Sequence, residues 1–344
     1  MLRGVTASSD QDVERAVELD VVICTYDNAA WLERVFERLA AQVAAPDGWR
    51  VLVVDNNSSD DTAAVVERHR ASGRIPGLRR ILETQQGLTP ARLRGVRETD
   101  APWLAFVDDD CLLDAGWIAG ALAFARAHPD AAGFGGRVEP TYLEAPPEVL
   151  DSRGWAFAEQ IAGEEVAPLD CLVGAGMVVN RAALLASGWV DQPYFDDRIG
   201  RRLVSGGDVE LALRLAGTGR PLWYVPECRI EHVIPPNRTE QRYLVRLCRG
   251  LGVSTSMSHA LLWRGGARQW PRAIARDLRG SLRDAARSVL RAARRRTSWA
   301  DCSLVLAYES GRWLGALRVL ADLTRGRPPY LGGVVPSGRA VRAG

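Results

Sequence analysis

Residues 103–110 read WLAFVDDD: five apolar residues in succession, followed by three carboxylates. The apolar run Trp103–Val107 predicts a buried strand. Upstream, Leu19–Thr25 (LDVVICT) and Arg50–Val54 have the same form, and each is followed by polar residues and then by a segment whose apolar side chains recur at helical spacing. Strands that alternate with helices in this way predict an α/β fold with a mostly parallel sheet flanked by helices. In such sheets ligands bind beyond the carboxyl ends of the strands.

The chain divides into three predicted segments: a polar N-terminal segment (1–18), an α/β domain (19–236) and an Arg-rich helical extension (237–344). Residues 142–163 are predicted to form an irregular insertion. Further strands are predicted at Arg79–Leu82, Gly174–Val179, Leu222–Val225 and Arg229–His232. Helices are predicted at Ala29–Ala45, Asp60–Arg70, Leu88–Thr99, Arg181–Ala186, Asp208–Leu215, Glu240–Gly250, Arg272–Arg296 and Cys302–Leu323.

The charged residues are unevenly distributed. The 344 residues include 44 basic and 42 acidic ones, and every basic residue is arginine. The absence of lysine excludes a lysine nucleophile, a Schiff base and a P-loop of the GK[ST] type, since each requires an ammonium group. Residues 1–236 carry 23 Arg and 36 acidic residues, whereas residues 237–344 carry 21 Arg and 6 acidic residues. We therefore expect the extension to face something anionic: nucleic acid, a membrane surface or the acidic body itself.

The cysteines and the hydropathy indicate the compartment. Six scattered cysteines form neither a CxxC pair nor a Cys–His cluster, which argues against a zinc site and a disulfide framework. No segment has the apolar core of a signal peptide, and none approaches the roughly 18 apolar residues of a spanning helix. We therefore expect a cytoplasmic protein.

Polar residues collect at the predicted strand ends: Thr25–Asn28, Asp55–Ser59 and Asp108–Asp110, with Gly206–Asp208 preceding a helix. Three adjacent carboxylates repel one another, and their joint burial is unfavourable unless a cation neutralises them. Carboxylate oxygens suit Mg²⁺ or Mn²⁺. Acidic triplets are also typical of solvated loops and helix caps, but the position after a buried strand favours a metal site.

Five segments resemble a known family in the same order and spacing: VVICTYDNAAWL, VVDNNSSDDT, GLTPARLRGVRETDAPWLAFVDDDC, LVGAGMVVNRAAL and SGGDVELALRLAGTGRPLWYVPECRIEH. Over residues 19–235 the chain looks like a family 2 glycosyltransferase of the GT-A fold. The resemblance implies metal-assisted, inverting transfer of a sugar, hexosyltransferase-like, from a nucleotide-diphosphate donor to an acceptor hydroxyl. The acceptor would be a glycan, a lipid-linked sugar or a small molecule, in polysaccharide, glycolipid or glycoconjugate biosynthesis.

The resemblance also implies roles for the first two strand ends. Asp55 would contact the nucleotide base, and Thr25 and Asp27 would line the same pocket. An Asx-rich stretch such as Asp55–Asn57 also forms turns by itself, so a local structural role is the alternative.

The acidic run matches the DxD element of that family. Asp110 would be the principal metal ligand, and Asp108 and Asp109 would lie near the ribose, diphosphate or donor sugar, with Asp108 also near the metal. His232 lies where the resemblance places a histidine near the metal or the diphosphate. A lone histidine is as often structural, and this alternative stays open.

Asp208 matches the position of the catalytic base, which takes the proton of the acceptor hydroxyl. Asp is also a preferred helix N-cap, so Asp208 could simply cap the helix that follows. The sequence departs from the Glu-Asp pair of the family, because Gly207 replaces the first acid. This replacement supports the alternative of a catalytically weakened homologue that acts as a binding or scaffolding subunit.

Two further segments are candidates for ligand contact. Gly174 and Gly176, in the GAGM segment, would approach the donor sugar and the acceptor closely because they lack side chains. Arg201 and Arg202 could reach a phosphate, or could lie in a solvated loop. A sugar-nucleotide pyrophosphorylase would need a Gly-rich, basic loop after the first strand, where this chain has TYDN, so that enzyme class is disfavoured.

The extension contains a predicted helix with two faces. Ile274, Leu278, Leu282, Ala285, Val289 and Ala293 form one stripe, and Arg276, Arg279, Arg283, Arg287, Arg291 and Arg294 form another. Such a helix can lie on an anionic membrane, with Trp270, Trp299 and Trp313 as anchors, so residues 270–323 would attach the protein peripherally at the inner face of the membrane. Alternatively, the apolar stripe packs on the domain. No nucleic-acid partner is expected, because no recognised binding motif is present.

Overall fold

A computed structural model of the chain describes residues 16–42, 47–150, 154–195, 197, 203, 205–263 and 269–325. The strands of this part of the chain are β1 (Leu19–Thr25), β2 (Trp49–Asp55), β3 (Arg79–Leu82), β4 (Trp103–Asp108), β5 (Cys111–Leu113), β6 (Gly133–Tyr142), β7 (Ala167–Leu169), β8 (Met177–Asn180) and β9 (Leu222–Ile234). Its helices are α1 (Ala29–Ala40), α2 (Thr62–Ser72), α3 (Leu88–Arg97), α4 (Trp117–Ala127), α5 (Arg181–Ala186), α6 (Gly207–Gly217), α7 (Pro236–Thr239), α8 (Gln241–Leu261), α9 (Trp270–Ala293) and α10 (Trp299–Thr324).

The strands form one sheet in the order β3-β2-β1-β4-β8-β6-β9-β5, with β7 paired to β9. The first four of these are mutually parallel, and β8 runs antiparallel to β4 and β6. In the parallel part Thr25 aligns with Asp55, and Cys24 aligns with Asp108. The α/β prediction is confirmed, and three of the polar strand ends meet at one edge of the sheet.

Helices cover both faces of the sheet because successive strand residues point to opposite sides. Val21 and Ile23 of β1 pack with α1, α2 and α4 in one buried cluster. Val22, between them, packs with α3, α5 and α6 in another. The approach of α3 to the sheet requires Gly95, since a Cβ atom there would overlap the Val22 side chain. This packing fixes α3 and α6 above the same strand ends.

Two differences from the predicted elements have clear causes. Leu222–Val225 and Arg229–His232 belong to one strand, β9, whose register against β6 shifts between Gly136 and Val138. The shift accommodates the interruption at Pro226. The sequence prediction missed α4, whose residues are apolar almost throughout (WIAGALAFARA), so that hardly any polar residue marks an outer face.

The helices of the extension pack on the domain and on one another. One cluster joins Ile234 to residues of α8 and α10, and another joins Phe195 to residues of α8, α9 and α10. α8 runs through Gly250 and Gly252, beyond its predicted end, because α10 lies against it. A Cβ atom at Gly252 would overlap the Tyr308 carbonyl oxygen, and one at Gly311 would overlap the Arg249 carbonyl oxygen. Among the described residues, none of the helices is long and apolar enough to cross a bilayer.

Candidate active site

Two of the predicted donor-site residues stand at aligned strand ends. Thr25 is buried, and its carbonyl oxygen accepts a hydrogen bond from the Asn56 amide (2.8 Å). The carboxylate of Asp55 is also buried. One of its oxygens accepts from the Ser58 amide (2.9 Å), and the other pairs with the Arg80 guanidinium (2.6 Å). Asp55 therefore closes the expected turn and also anchors an arginine at the sheet edge.

The loops after β1 and β2 are joined through Asp27, which is exposed and has a left-handed backbone conformation (φ 48°). Its carboxylate accepts a hydrogen bond from the Ser59 amide (2.6 Å), and its own amide donates to the Ser58 hydroxyl (3.1 Å). The side-chain amide of Asn28 donates to Asp109 (2.8 Å). The opening loop thus connects the end of β2 with the acidic run after β4.

The acidic run lies between two arginines. Oδ1 of Asp108 lies 3.6 Å from Nη2 of the buried Arg92. Asp110 is buried, and its Oδ2 accepts a hydrogen bond from Nη1 of Arg238 (2.7 Å). Its Oδ1 lies 3.5 Å from Nε2 of His232. The structure therefore brings His232, predicted from the sequence, and Arg238, which no motif marks, to the same carboxylate.

Burial and charge shift the protonation of these groups. The pKa of Asp109 is raised to about 7, first because its carboxyl group is withdrawn from water and then because of the charge of Asp110. Burial acts to lower the pKa of His232, but the Asp110 carboxylate outweighs it and the net direction is upward. Nδ1 of His232 lies 2.7 Å from the Phe157 carbonyl oxygen, which fixes the ring. Burial, with the neighbouring carboxylates, raises the pKa of the Cys111 thiol well above its usual value.

The donor atoms of the acidic run suit a hard divalent cation. One carboxylate oxygen each from Asp108 and Asp110 and the sulfur of Cys111 lie within 4.8 Å of one another. The protonated Cys111 thiol is a poor ligand for Mg²⁺ or Mn²⁺, whereas the two carboxylates are good ones. His232 stands beside Asp110 as a further donor. A cation at this position would compete with Arg238 for the Asp110 carboxylate.

Asp208 stands across Arg92 from the acidic run. α6 begins at Gly207, so Asp208 lies within the first turn and does not cap the helix. Its carboxylate accepts hydrogen bonds from the amides of Gly174 (3.1 Å) and Val209 (2.9 Å). A Cβ atom at Gly174 would lie 3.0 Å from Nη2 of Arg92 and 3.0 Å from Cβ of Asp208. Arg92 and Asp208 thus converge on the bare backbone of Gly174.

The place of the missing acid at Gly207 is taken by a side chain from another segment. The carboxylate of the buried Asp197 accepts a hydrogen bond from the Gly207 amide (2.8 Å), and a Cβ atom at Gly207 would lie 2.5 Å from the same oxygen. The backbone of Asp197 is bound to the start of α3, through the Leu88 amide (3.0 Å) and the Thr89 hydroxyl (3.3 Å). Asp197 therefore connects the N-termini of α3 and α6.

The two glycines of the GAGM segment have different surroundings. Gly174 faces polar groups, as described above. Gly176 has a left-handed conformation (φ 73°), and a Cβ atom there would overlap the Ile230 side chain in the core. Its lack of a side chain is thus required by packing. Arg201 and Arg202 lie outside the described residues.

Three residues of the site have no motif that marks them in the sequence: Arg92, Asp197 and Arg238. Arg92 carries one detectable signal, since it lies with Ala91 and Val96 on the buried side of α3, where an unpaired charge is unfavourable. Asp197 and Arg238 lie in a loop and a four-residue helix, where no periodicity exposes them.

Comparisons with known proteins agree with this architecture. Residues 20–177 match the family model described as Glycosyl transferase family 2. An uncharacterized glycosyltransferase of Mycobacterium tuberculosis is 32% identical over 203 residues, which cover 57% of this chain and 79% of that protein. The glucosyl-dolichyl phosphate glucuronosyltransferase of Haloferax volcanii is 23% identical over 239 residues, which cover 67% of this chain and 73% of that protein.

Among solved structures, the mannosyltransferase of Pyrobaculum calidifontis in complex with GDP-Man and Mn²⁺ is similar with a TM-score of 0.54 and 18% sequence identity. The similarity covers 90% of this chain and 79% of that chain. The predicted GT-A type of fold is confirmed.

Proposed function

The chain belongs to glycosyl transferase family 2, and we propose that it transfers a sugar from a nucleotide-diphosphate donor to an acceptor hydroxyl with inversion. One observation carries the proposal: the Asp208 carboxylate lies across Arg92 from the acidic run at the strand ends. Inversion by a single displacement needs a base on the side opposite the leaving group, and we assign this role to Asp208 because it lies on a helix separate from the acidic run.

The nucleotide is proposed to lie along the edge that Thr25, Asp27 and Asp55 form. Asp55 is bound to Ser58 and Arg80. A carboxylate offers about four acceptor sites, so Asp55 keeps the capacity to accept an N–H group of a nucleotide base. The exposed Asp27 stands at the mouth of the same edge.

The diphosphate is proposed to lie at the acidic run. Asp110 and Asp108, with His232, would hold Mn²⁺ or Mg²⁺, and Asp109 would lie near the ribose or the donor sugar. The cation would offset the charge that develops on the departing diphosphate. Arg92 and Arg238 stand beside the same carboxylates, and their planar guanidinium groups suit phosphate oxygens.

The acceptor is proposed to lose its proton to Asp208. Asp208 accepts hydrogen bonds from two backbone amides, which fix the orientation of its carboxylate. The remaining acceptor sites of the carboxylate are available to a hydroxyl. A weakened homologue that only binds or scaffolds would be favoured if nothing replaced the acid at Gly207. Asp197, however, places a buried carboxylate at the same helix end, which supports the catalytic proposal.

The acceptor class and the compartment are part of the proposal. The Haloferax relative is named for a lipid-phosphate-linked sugar, and we include lipid-linked acceptors with glycans and small molecules, in polysaccharide, glycolipid or glycoconjugate synthesis. All six cysteines are free, which is typical of a reducing compartment and supports a cytoplasmic location.

A panel of nucleotide-sugars, screened by thermal shift with Mn²⁺, would identify the donor, because a ligand at 100 times its Kd stabilises a protein by about 2.7 kcal/mol. Asp208→Asn should keep the donor-induced shift and lose transfer, and the anomeric configuration of the product would test inversion. If nucleotides bind but neither transfer nor donor hydrolysis occurs, and Asp208→Asn changes nothing, the chain is a binding subunit.

A further inference from the structure

The outer surface of α9 and α10 is apolar along much of its length. Leu282 and Leu290 of α9 are 57% and 54% exposed, and Leu314 and Leu317 of α10 are 51% and 59% exposed. A groove of about 510 Å³ lies along the contact between the two helices, and its lining combines polar side chains with the apolar Leu282, Ala285, Leu306, Trp313 and Leu314. We call this region the α9–α10 surface. Exposed apolar area of this kind is typical of interaction sites.

The apolar stripe of α9 is covered only in its first half. Ile274 is buried and Leu278 is half-buried, both in the cluster that contains Phe195 of the domain. In the second half, Leu282 and Val289 of the same stripe are exposed. Packing on the domain therefore accounts for the stripe up to Leu278 and leaves Leu282 and Val289, in its second half, exposed.

Cationic side chains border this exposed part of the stripe. The arginines of α9 are all exposed: Arg272, Arg276, Arg279, Arg283, Arg287 and Arg291. They recur every three or four residues, so like charges are stacked along the helix. Within the described ranges Arg287 alone among them has a carboxylate within ion-pair distance, that of Asp284 at 3.4 Å. The charge of this face is therefore largely unpaired among the described residues and is available to an anionic partner.

Two occupants other than lipid conflict with the charge. Residues 326–344, which follow α10, contain three arginines and no acidic residue, so they cannot neutralise the arginines of α9. A second copy, docked symmetrically through this surface, would bring two cationic helices together. An anionic bilayer satisfies both halves of the surface, because its headgroups carry phosphate and its interior accepts apolar side chains.

We propose that the α9–α10 surface binds the chain peripherally to an anionic lipid bilayer. The arginines of α9 lie at the phosphate level, and Leu282, Leu290, Leu314 and Trp313 enter the boundary between headgroups and acyl chains. Tryptophan and leucine on one side and arginine on the other are the composition of helices that lie in this boundary.

Vesicle flotation of the full chain tests the proposal without any enzymatic readout. We expect the chain to float with vesicles that contain phosphatidylglycerol and to lose this binding at high salt. With vesicles of phosphatidylcholine alone, we expect the chain to remain unbound in the dense fraction. Arg279→Glu/Arg283→Glu should lower the bound-to-free ratio at least about 25-fold, because each basic residue near the surface contributes about fivefold. The matched control Arg74→Glu/Arg97→Glu changes the net charge equally at exposed positions of the α/β domain and should bind as the wild type.

Leu282→Ser/Leu314→Ser removes apolar side chains without altering the charge and should also weaken binding, with only a small decrease in melting temperature because about half of each side chain is already exposed. The proposal is overturned if the chain does not float with anionic vesicles, or if the control pair lowers flotation as much as the α9 pair. It is also overturned if light scattering shows a dimer that the leucine pair dissociates, or if the chain binds nucleic acid and no vesicle.

Discussion

Replacing Asp197 by Ala is expected to slow transfer without weakening donor binding. The carboxylate accepts a hydrogen bond from the buried Gly207 amide at the start of α6, one residue before Asp208. A hydrogen bond to a charged group contributes about 1.5–3 kcal/mol, and an acidic group at a helix N-terminus contributes a further 0.3–1 kcal/mol or so. If the whole of this free energy holds Asp208 in place, its loss lowers kcat by roughly 20- to 900-fold.

The position of the acid can be tested by moving it. A Cβ atom at Gly207 would lie 2.5 Å from the Asp197 carboxylate oxygen, so Gly207→Glu alone should be harmful. Asp197→Gly/Gly207→Glu removes the overlap and returns a carboxylate to the same helix end. We expect the double variant to be more active than either single variant, which is a coupling that independent sites do not show.

The assay is steady-state transfer at saturating acceptor, with kcat and the donor KM measured separately and folding checked by thermal melting. Asp61→Ala is the matched control, because Asp61 is the N-cap of α2 and makes no capping hydrogen bond. An Asp197→Ala variant with the wild-type kcat, alongside an inactive Asp208→Asn variant, would show that Asp197 does not position Asp208. A harmless Gly207→Glu substitution would show the same.

Three further predictions concern other parts of the molecule. Arg92→Lys should lower kcat/KM at least about tenfold, because an ammonium group cannot make the bidentate contact of a guanidinium. Saturation kinetics would check this, with Arg97→Lys as the control variant. Mn²⁺ affinity should increase as the pH rises through the raised pKa of His232, because the metal binds the neutral imidazole. Calorimetry at a series of pH values should show that the affinity for Mn²⁺ depends less on pH in His232→Gln than in the wild type. Gly252→Val should lower the free energy of unfolding by about 1–3 kcal/mol or more in urea titrations, because its side chain would overlap the backbone of α10. Gly280→Ala, in open space on α9, should instead raise it by up to about 1 kcal/mol; equal effects at the two glycines would contradict the packing of α8 on α10.

Much of the fold follows from local patterns. The apolar runs of β1 and β4 and the polar residues after them are visible within seven or eight residues, and parallel pairing then brings Thr25, Asp55 and Asp108 to one edge. The bounds of β3 and α5 agree with the prediction, because Leu82 and Ala186 are each followed by a clear change of pattern. The helices of the extension are also visible from their period, although glycines that serve close packing hid the true end of α8.

The partners of the site residues depend on packing between distant segments. Arg238 reaches Asp110 across 128 residues of sequence, and Asn28 reaches Asp109 across 81. The carboxylate of Asp197 reaches the Gly207 amide because the loop that carries it is bound to α3. The exposure of the second part of the α9 stripe is likewise not predictable from the helical period. The period identifies an apolar stripe but not which element, if any, packs against it. Periodicity reports which side of an element avoids water, whereas the identity of the neighbour is decided by how the elements pack.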